Sequence, residues 1–195
     1  PVVFYNSYQR ASLFWFYSGK PSHSHNAYWE RRNNFNFWPT ESNLLGKQVY
    51  VADVYNLFLY KDSVLSKTGW TGFSPDTLYA GLGQIKIIPE QKIIQPGKST
   101  FIYIKCNRVI SPQYLFFLME HPELKTEILI GILNGKELIK EIKTGITAQQ
   151  IAKSSEFDLP LNLYNIPSGT YDLWIAIQSK NYPATHNSEK ITLIM

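Results

Sequence analysis

The pattern of apolar and polar positions divides the chain into two parts of different character. Val2-Val3-Phe4-Tyr5 opens it as a continuous apolar run, the signature of a buried strand. Asn6-Ser7 interrupts the run, and Tyr8 to Ser18 then carries apolar and aromatic residues at helical spacing. Asn6 is a good N-cap residue, with Gln9 three positions on in a capping-box relation. Gly19 stands where a left-handed residue ends a helix, and Pro21 prevents its resumption. Lys20 to Asn43 has little regular period, and Gln48 to Val54 is a second apolar strand. Strand, helix and strand predict a small α/β lobe with a parallel pair over residues 1–69. Tyr55 to Pro75 reads as a transition, with polar turns at Lys67-Thr68-Gly69 and Thr71-Gly72.

Beyond the transition the pattern is β. Strands are expected at Leu82–Ile88, Phe101–Cys106, Glu127–Leu133, Glu137–Lys143, Phe157–Leu163, Tyr171–Ile177 and Lys190–Met195. Gln95-Pro96-Gly97-Lys98 has the composition of a type II turn. Asn134-Gly135 predicts a type I′ hairpin, whose two central residues need positive φ. Ala148 to Lys153 suits one helical turn, and Pro160 marks its strand as an edge or a bulge. Tyr171, Leu173, Ile175 and Ile177 share one face at period two. A Tyr entering a late strand just after Gly169 resembles the corner used by Ig-like sandwiches to close two sheets. The fold class expected is therefore α+β: an α/β lobe over 1–69, then an antiparallel Ig-like β-sandwich over 70–195.

Composition narrows the function. The chain has 195 residues, of which 44% are hydrophobic, enough for a substantial core. Its net charge of +4 is mild. Residues 1–69 hold seven Lys/Arg against four Asp/Glu, so the small excess is N-terminal and far from the dense basic face of a nucleic-acid binder. A single cysteine, Cys106, excludes an intrachain disulfide and multi-cysteine metal sites, and its place in an apolar strand fits a buried thiol. No apolar run approaches the ~18–20 residues of a membrane span. The chain opens directly on a strand without an initiator Met, as expected of a piece excised from something longer.

Few residues carry the marks of catalysis. His23-Ser24-His25 offers two imidazoles but no third metal ligand at recognisable spacing. His186-Asn187-Ser188-Glu189 supplies a base, a hydroxyl and a carboxylate, yet sequence neighbours seldom form a triad and no nucleophile elbow is present. No cofactor or metal is expected. Asn6 and Ser7, at a strand-to-helix turn, could aim backbone N–H groups at a phosphate, although the loop lacks a Gly-rich motif. Arg10, Arg31 and Arg32 lie among Tyr8, Tyr17, Tyr28, Trp29, Phe35, Phe37 and Trp38, which pairs guanidinium groups for phosphate with rings for sugar or lipid. Phe14, Trp15, Phe16 and Tyr17 point to all sides of one helix, more than a small lobe can bury, so part of that surface should meet a partner, another domain or a membrane interface.

Three stretches together, Pro1-Val2-Val3-Phe4-Tyr5-Asn6-Ser7-Tyr8-Gln9-Arg10-Ala11-Ser12, Phe16-Tyr17-Ser18-Gly19-Lys20-Pro21 and Arg31-Arg32-Asn33-Asn34, resemble a C-terminal region of bacterial membrane glycosyltransferases. The family is the dolichyl-phosphate-mannose–protein mannosyltransferase-like one, which includes aminoarabinose transferases, and the likeness is to Bacteroides-type members. Asn134-Gly135-Lys136, Gly169-Thr170-Tyr171 and His186-Asn187-Ser188-Glu189-Lys190-Ile191 extend it over most of the chain. The resemblance implies a parent enzyme in the inner membrane that moves a sugar from a polyprenyl-phosphate carrier to an acceptor glycan or protein on the periplasmic side. The family's catalytic carboxylate lies in an external loop among membrane helices, so no residue here inherits it. What remains is a non-catalytic periplasmic domain packed on the membrane portion of the same chain, with Asn6, Ser7, Gln9, Arg10, Arg31 and Arg32 as candidate ligand contacts. The alternative is a freestanding carbohydrate-binding module that presents Trp174 or Tyr182 to glycans. A hydrolase would need a nucleophile–base pair that the sequence does not display.

Overall fold

The opening apolar run becomes an interior strand. In the computed structural model, which describes residues 1–56, 60–67 and 69–195, β1 (Val2–Tyr5) leads through α1 (Tyr8–Ser18) to β2 (Ser22–His25). A short 3-10 turn (Asn34–Asn36) precedes β3 (Val49–Asp53), and β4 (Asp62–Ser66) and β5 (Gly69–Asp76) follow. These five strands form one sheet in the order β2-β1-β3-β5-β4. The pairs around β1 are parallel, and β3, β5 and β4 pair antiparallel. The expected parallel pair of apolar strands is present as β1 and β3.

Two sheets make up the rest. β9 (Thr126–Asn134), β10 (Glu137–Lys143), β12 (Thr170–Ser179), β14 (Ile191–Ile194) and β7 (Ile93–Ile94) form the larger, with β13 (Thr185–His186) beside β12. β6 (Lys86–Pro89), β8 (Phe101–Val109) and β11 (Glu156–Asn162) form the smaller. Helices α2 (Pro112–Glu120) and α3 (Ala148–Ala152) lie in the connections. The described residues make a β-rich α+β fold of several sheets without a barrel.

Several local expectations shift. The segment 22–25, without regular period, is a fully buried strand. The region 62–76 is not a transition but two strands, so the first sheet runs past the 69/70 boundary to Asp76. Thr68 of the expected Lys67-Thr68-Gly69 turn lies outside the described residues. The β9–β10 hairpin forms, but the pair Asn134↔Glu137 closes it around Gly135-Lys136. Positive φ is confined to Gly135, the pattern of a II′ rather than a I′ turn. The Tyr171 hydroxyl donates to the Pro167 carbonyl at 3.1 Å, the corner contact its position predicts. Cys106 is buried on β8, and burial pushes its thiol up to about 12.

One apolar core joins the parts: Val3, Val49 and Val51 of the first sheet share a cluster with Ile130 and Leu173 of the second and Leu159 of the third. The other face of the large sheet is covered by the chain leaving β2. Tyr28 donates its N–H to the Ala184 carbonyl at 2.8 Å, lays its ring on Gly131, and bonds its hydroxyl to Glu141 Oε2 at 2.8 Å. A methyl at Gly131 would collide with that ring.

Candidate functional site

The start of α1 differs from its expected form. Ser7, not Asn6, is the N-cap residue, and its side chain makes no cap bond. Asn6 sits one residue earlier at φ 50°, a left-handed conformation that Asn tolerates better than most residues. Its N–H donates to the His25 carbonyl at 3.0 Å, and its Oδ1 accepts from the Ala27 N–H at 2.7 Å. Asn6 therefore fastens the end of β1 to β2 and its neighbour, and the reciprocal capping box with Gln9 does not form. Gly19 closes the helix as expected, at φ 67° with its N–H on the Trp15 carbonyl.

Ser7, Gln9 and Arg10 line a crevice of about 480 Å³, opposite Val54, Tyr55 and Trp70. It lies beyond the carboxyl ends of β1 and β3. The chain leaves β1 through α1 for β2 on one side, while β3 lies on the other, which is the switch-point geometry where open α/β sheets take ligands.

Arg10 also lines a second, larger space. An apolar groove of about 670 Å³ runs between α1 and the sheet, floored by Phe4, Ala52 and Phe73 and walled by Leu13 and Tyr17 on one side and Val64 on the other. Its origin is topological. Wholly parallel sheets have both faces covered, but this one is mixed, and among the described residues α1 packs mainly against β2 and β1, leaving β3, β5 and β4 open on that side. Arg10 crosses the junction, with Nη1 donating to Thr71 Oγ1 at 3.2 Å. The helix keeps only Ala11 fully buried; Phe16 and Tyr17 are each 80% exposed and Leu13 is 51% exposed. The unburied aromatic surface expected of this helix is thus present. Covering an exposed Phe of this size is worth about 1.5–3 kcal/mol.

The paired arginines have separate fates. Arg32 is a strut: Nη1 meets Glu189 Oε1 at 2.7 Å, Nη2 donates to the Ser188 carbonyl, and the guanidinium lies 5.3 Å from the centre of the Trp174 ring. It ties the loop after β2 to the last strands and does not present its charge to a phosphate. Arg31 is exposed and has no hydrogen-bond or ion-pair partner among the described residues. It borders a hollow of about 270 Å³ on the flank of α1 opposite the groove.

The histidines are structural. His25 bonds Tyr79 Oη through Nδ1 at 3.0 Å and the Pro183 carbonyl through Nε2 at 2.8 Å, and burial lowers its pKa to about 4. Thr40 Oγ1, His23 and Glu41 superficially line up as hydroxyl, base and acid, at 2.9 and 3.8 Å. The longer distance is no hydrogen bond, and burial, assisted by His25, lowers His23 to about 3, too weak a base for proton abstraction near neutrality. Burial raises the Glu41 carboxyl, which accepts from the Tyr114 hydroxyl at 2.8 Å and the Gln84 N–H at 3.1 Å. The His186–Glu189 tetrad scatters: His186 bonds the Glu30 carbonyl, Ser188 accepts from the Ile175 N–H, and Glu189 pairs with Arg32.

Both rings of the carbohydrate-module alternative are occupied. Trp174 is covered by Arg32 and flanked edge-on by His186. Tyr182 is buried among Tyr5, His25 and Tyr79, with its hydroxyl on Asp76. Among the described residues no three His, Cys, Asp or Glu side chains gather as a metal-ion set, and no helix is long and apolar enough to cross a membrane. The sequence singles out the helix start and Arg10 but gives no sign of the groove, because its far wall is built from strands whose residues read as a transition. No protein-family model matches the chain, and comparison with curated protein sequences finds no match.

Proposed function

We propose that the chain is the non-catalytic extracytoplasmic part of a polyprenyl-phosphate-dependent membrane glycosyltransferase, on the periplasmic face of the bacterial inner membrane, and that it holds the lipid carrier. The observation that carries this reading is the position of Arg10, at the junction of an apolar groove and a polar crevice at the start of α1. An amphiphile with one long apolar chain and an anionic head matches both: the isoprenoid lies along Phe4, Ala52 and Phe73, and its phosphate meets Arg10 at the helix N-terminus. Phe16 and Tyr17, beside the groove, suit contact with the membrane portion of the parent or with the bilayer interface. The two C-terminal sheets, packed through a common core with a Tyr171 corner, fit an Ig-like sandwich as the support. The sequence resemblance points the same way. The acceptor glycan or protein would approach from outside the groove.

Titration of the chain with farnesyl phosphate and with farnesol tests this. Binding of the phosphate is expected, at least ~10-fold tighter than the alcohol. Arg10→Gln should abolish that preference, and Leu13→Asp with Val64→Asp should weaken both ligands by ~10-fold or more. No binding up to about 1 mM, or equal binding by the groove variant, would overturn the carrier reading. The gene upstream of Pro1 should encode successive apolar spans of ~20 residues with an acidic residue in the first external loop; a signal peptide there would refute the parent.

A further inference from the structure

We infer that the hollow between α1 and the loop after β2 is a second, separate binding site, for a single sugar ring that carries a negative charge. The hollow holds about 270 Å³ and is bordered by Tyr8, Ser12, Arg31, Asn34 and Trp38, with buried Phe35 at its base. It is smaller than the ~300–1,000 Å³ of sites for drug-sized ligands, so one ring fits and a nucleotide does not.

The loop that forms it is fixed by its own bonds. Asn33 and Asn36 cap the 3-10 turn reciprocally, Asn36 receives Asn26, and Arg32 is clamped by Glu189 and Ser188. Those bonds use the polar groups that shape the loop and leave others free. The side chains of Tyr8, Ser12, Arg31 and Asn34 have no hydrogen-bond partner among the described residues. All four converge on the same hollow. Preorganisation of this kind lowers the cost of binding, because the site is not ordered by the ligand.

The choice of ligand follows from the groups. Two half-exposed rings, Tyr8 and Trp38, offer flat apolar faces that a pyranose C–H face can cover and that a bare inorganic anion cannot use. Ser12 and Asn34 supply neutral donors and acceptors for ring hydroxyls. Arg31 supplies a charge that its neighbour Arg32, already neutralised by Glu189, does not. Its fork suits a carboxylate or a phosphate equally. A uronic acid and a sugar phosphate are therefore the two sources to separate. The site stands on the flank of α1 away from the carrier groove and does not depend on that reading.

Nitrogen-15 NMR of the whole chain, followed at the Trp38 indole N–H and at the amides of residues 31–38, tests the site with glucuronate, glucose 6-phosphate, glucose and inorganic phosphate. One or both charged sugars should produce saturable shifts there, with glucose and inorganic phosphate each at least ~10-fold weaker. Which charged sugar binds tighter identifies the source. Arg31→Gln should reduce the charged sugar to the level of glucose. Trp38→Ala should weaken both sugars; Tyr8→Ala, on the exposed helix flank, serves if Trp38→Ala perturbs the fold. Leu13→Asp with Val64→Asp should leave the shifts unchanged, so loss of carrier binding and loss of sugar binding are told apart. Equal binding of inorganic phosphate, shifts centred elsewhere, or none at about 50 mM sugar would overturn the inference.

Discussion

The large C-terminal sheet and the N-terminal sheet are made of similar strands but are finished differently. The first is covered on both sides: Ile128, Ile130 and Ile132 face the common core, while Leu129 and Leu133 lie under Tyr28 and Ala184. Among the described residues the second is covered on one side and only partly on the other, where α1 shields β2 and β1 and leaves a groove over β3, β5 and β4. The first arrangement is what stability requires. The second leaves apolar surface in water, and a fold retains such surface where something else is to cover it.

The comparison breaks most sharply at Asn187. Wholly buried, it donates to the carbonyls of Leu82 and Ile85 and accepts from the Ile177 N–H and the Thr185 hydroxyl. Asn187→Leu should cost about 3–5 kcal/mol in urea unfolding, because several buried groups lose their partners at once. A loss below about 1 kcal/mol would show that this region is wetter than its contacts imply.

Acid should act next. His23, His25 and His186 are held neutral, lowered by burial from 6.5 to about 3, 4 and 4. The unfolded chain takes up protons below pH 6.5 where the native one does not. Their contribution is therefore complete above pH 6.5 and is lost as pH falls towards 4 and 3. Glu41, raised by burial, has the opposite sign: its contribution is present at low pH and lost as pH rises through its native value. Three histidines outweigh one carboxyl, so Tm should drop by on the order of 10 °C between pH 7 and 4.5. A flat profile would place the imidazoles in contact with water.

Gly131→Ala sharpens the contrast at the covered outer face. The added methyl meets the Tyr28 ring, and about 1–3 kcal/mol of destabilisation is expected. Gly131→Ala in a Tyr28→Ala background should cost much less, since the clash is gone. The smallest effect belongs to the open face: Phe16→Ser and Leu13→Asp should change stability by no more than about 0.5 kcal/mol.

The sequence displayed what apolar period can display. α1 and its Gly19 stop, the β1/β3 pair, the presence of a hairpin between β9 and β10 and the Tyr171 contact all follow from local chemistry, though the turn itself is Gly135-Lys136. β2 could not be seen that way, since Ser-His-Ser-His has no apolar residue. It is buried through polar pairing instead, with Ser22 on the Ala11 carbonyl, His23 on Thr40 and His25 on Tyr79. α2 is absent from the sequence expectation: Ser111-Pro112 has the form of a helix start, but the continuous Tyr114-to-Leu118 apolar run fits a strand as well as a helix. Arg31 and Arg32 looked equivalent as a doublet. Only the fold brings Glu189 and Trp174 to one of them, and only the sheet order shows where α1 stops covering.

The central claim, that the open face receives the carrier, is met most directly by amide hydrogen exchange of the chain with and without farnesyl phosphate. The ligand is expected to slow exchange in α1 and along β3, β5 and β4, with Arg10→Gln removing the effect at the helix start. Protection confined to the C-terminal sheets, or none at saturating ligand, would contradict it.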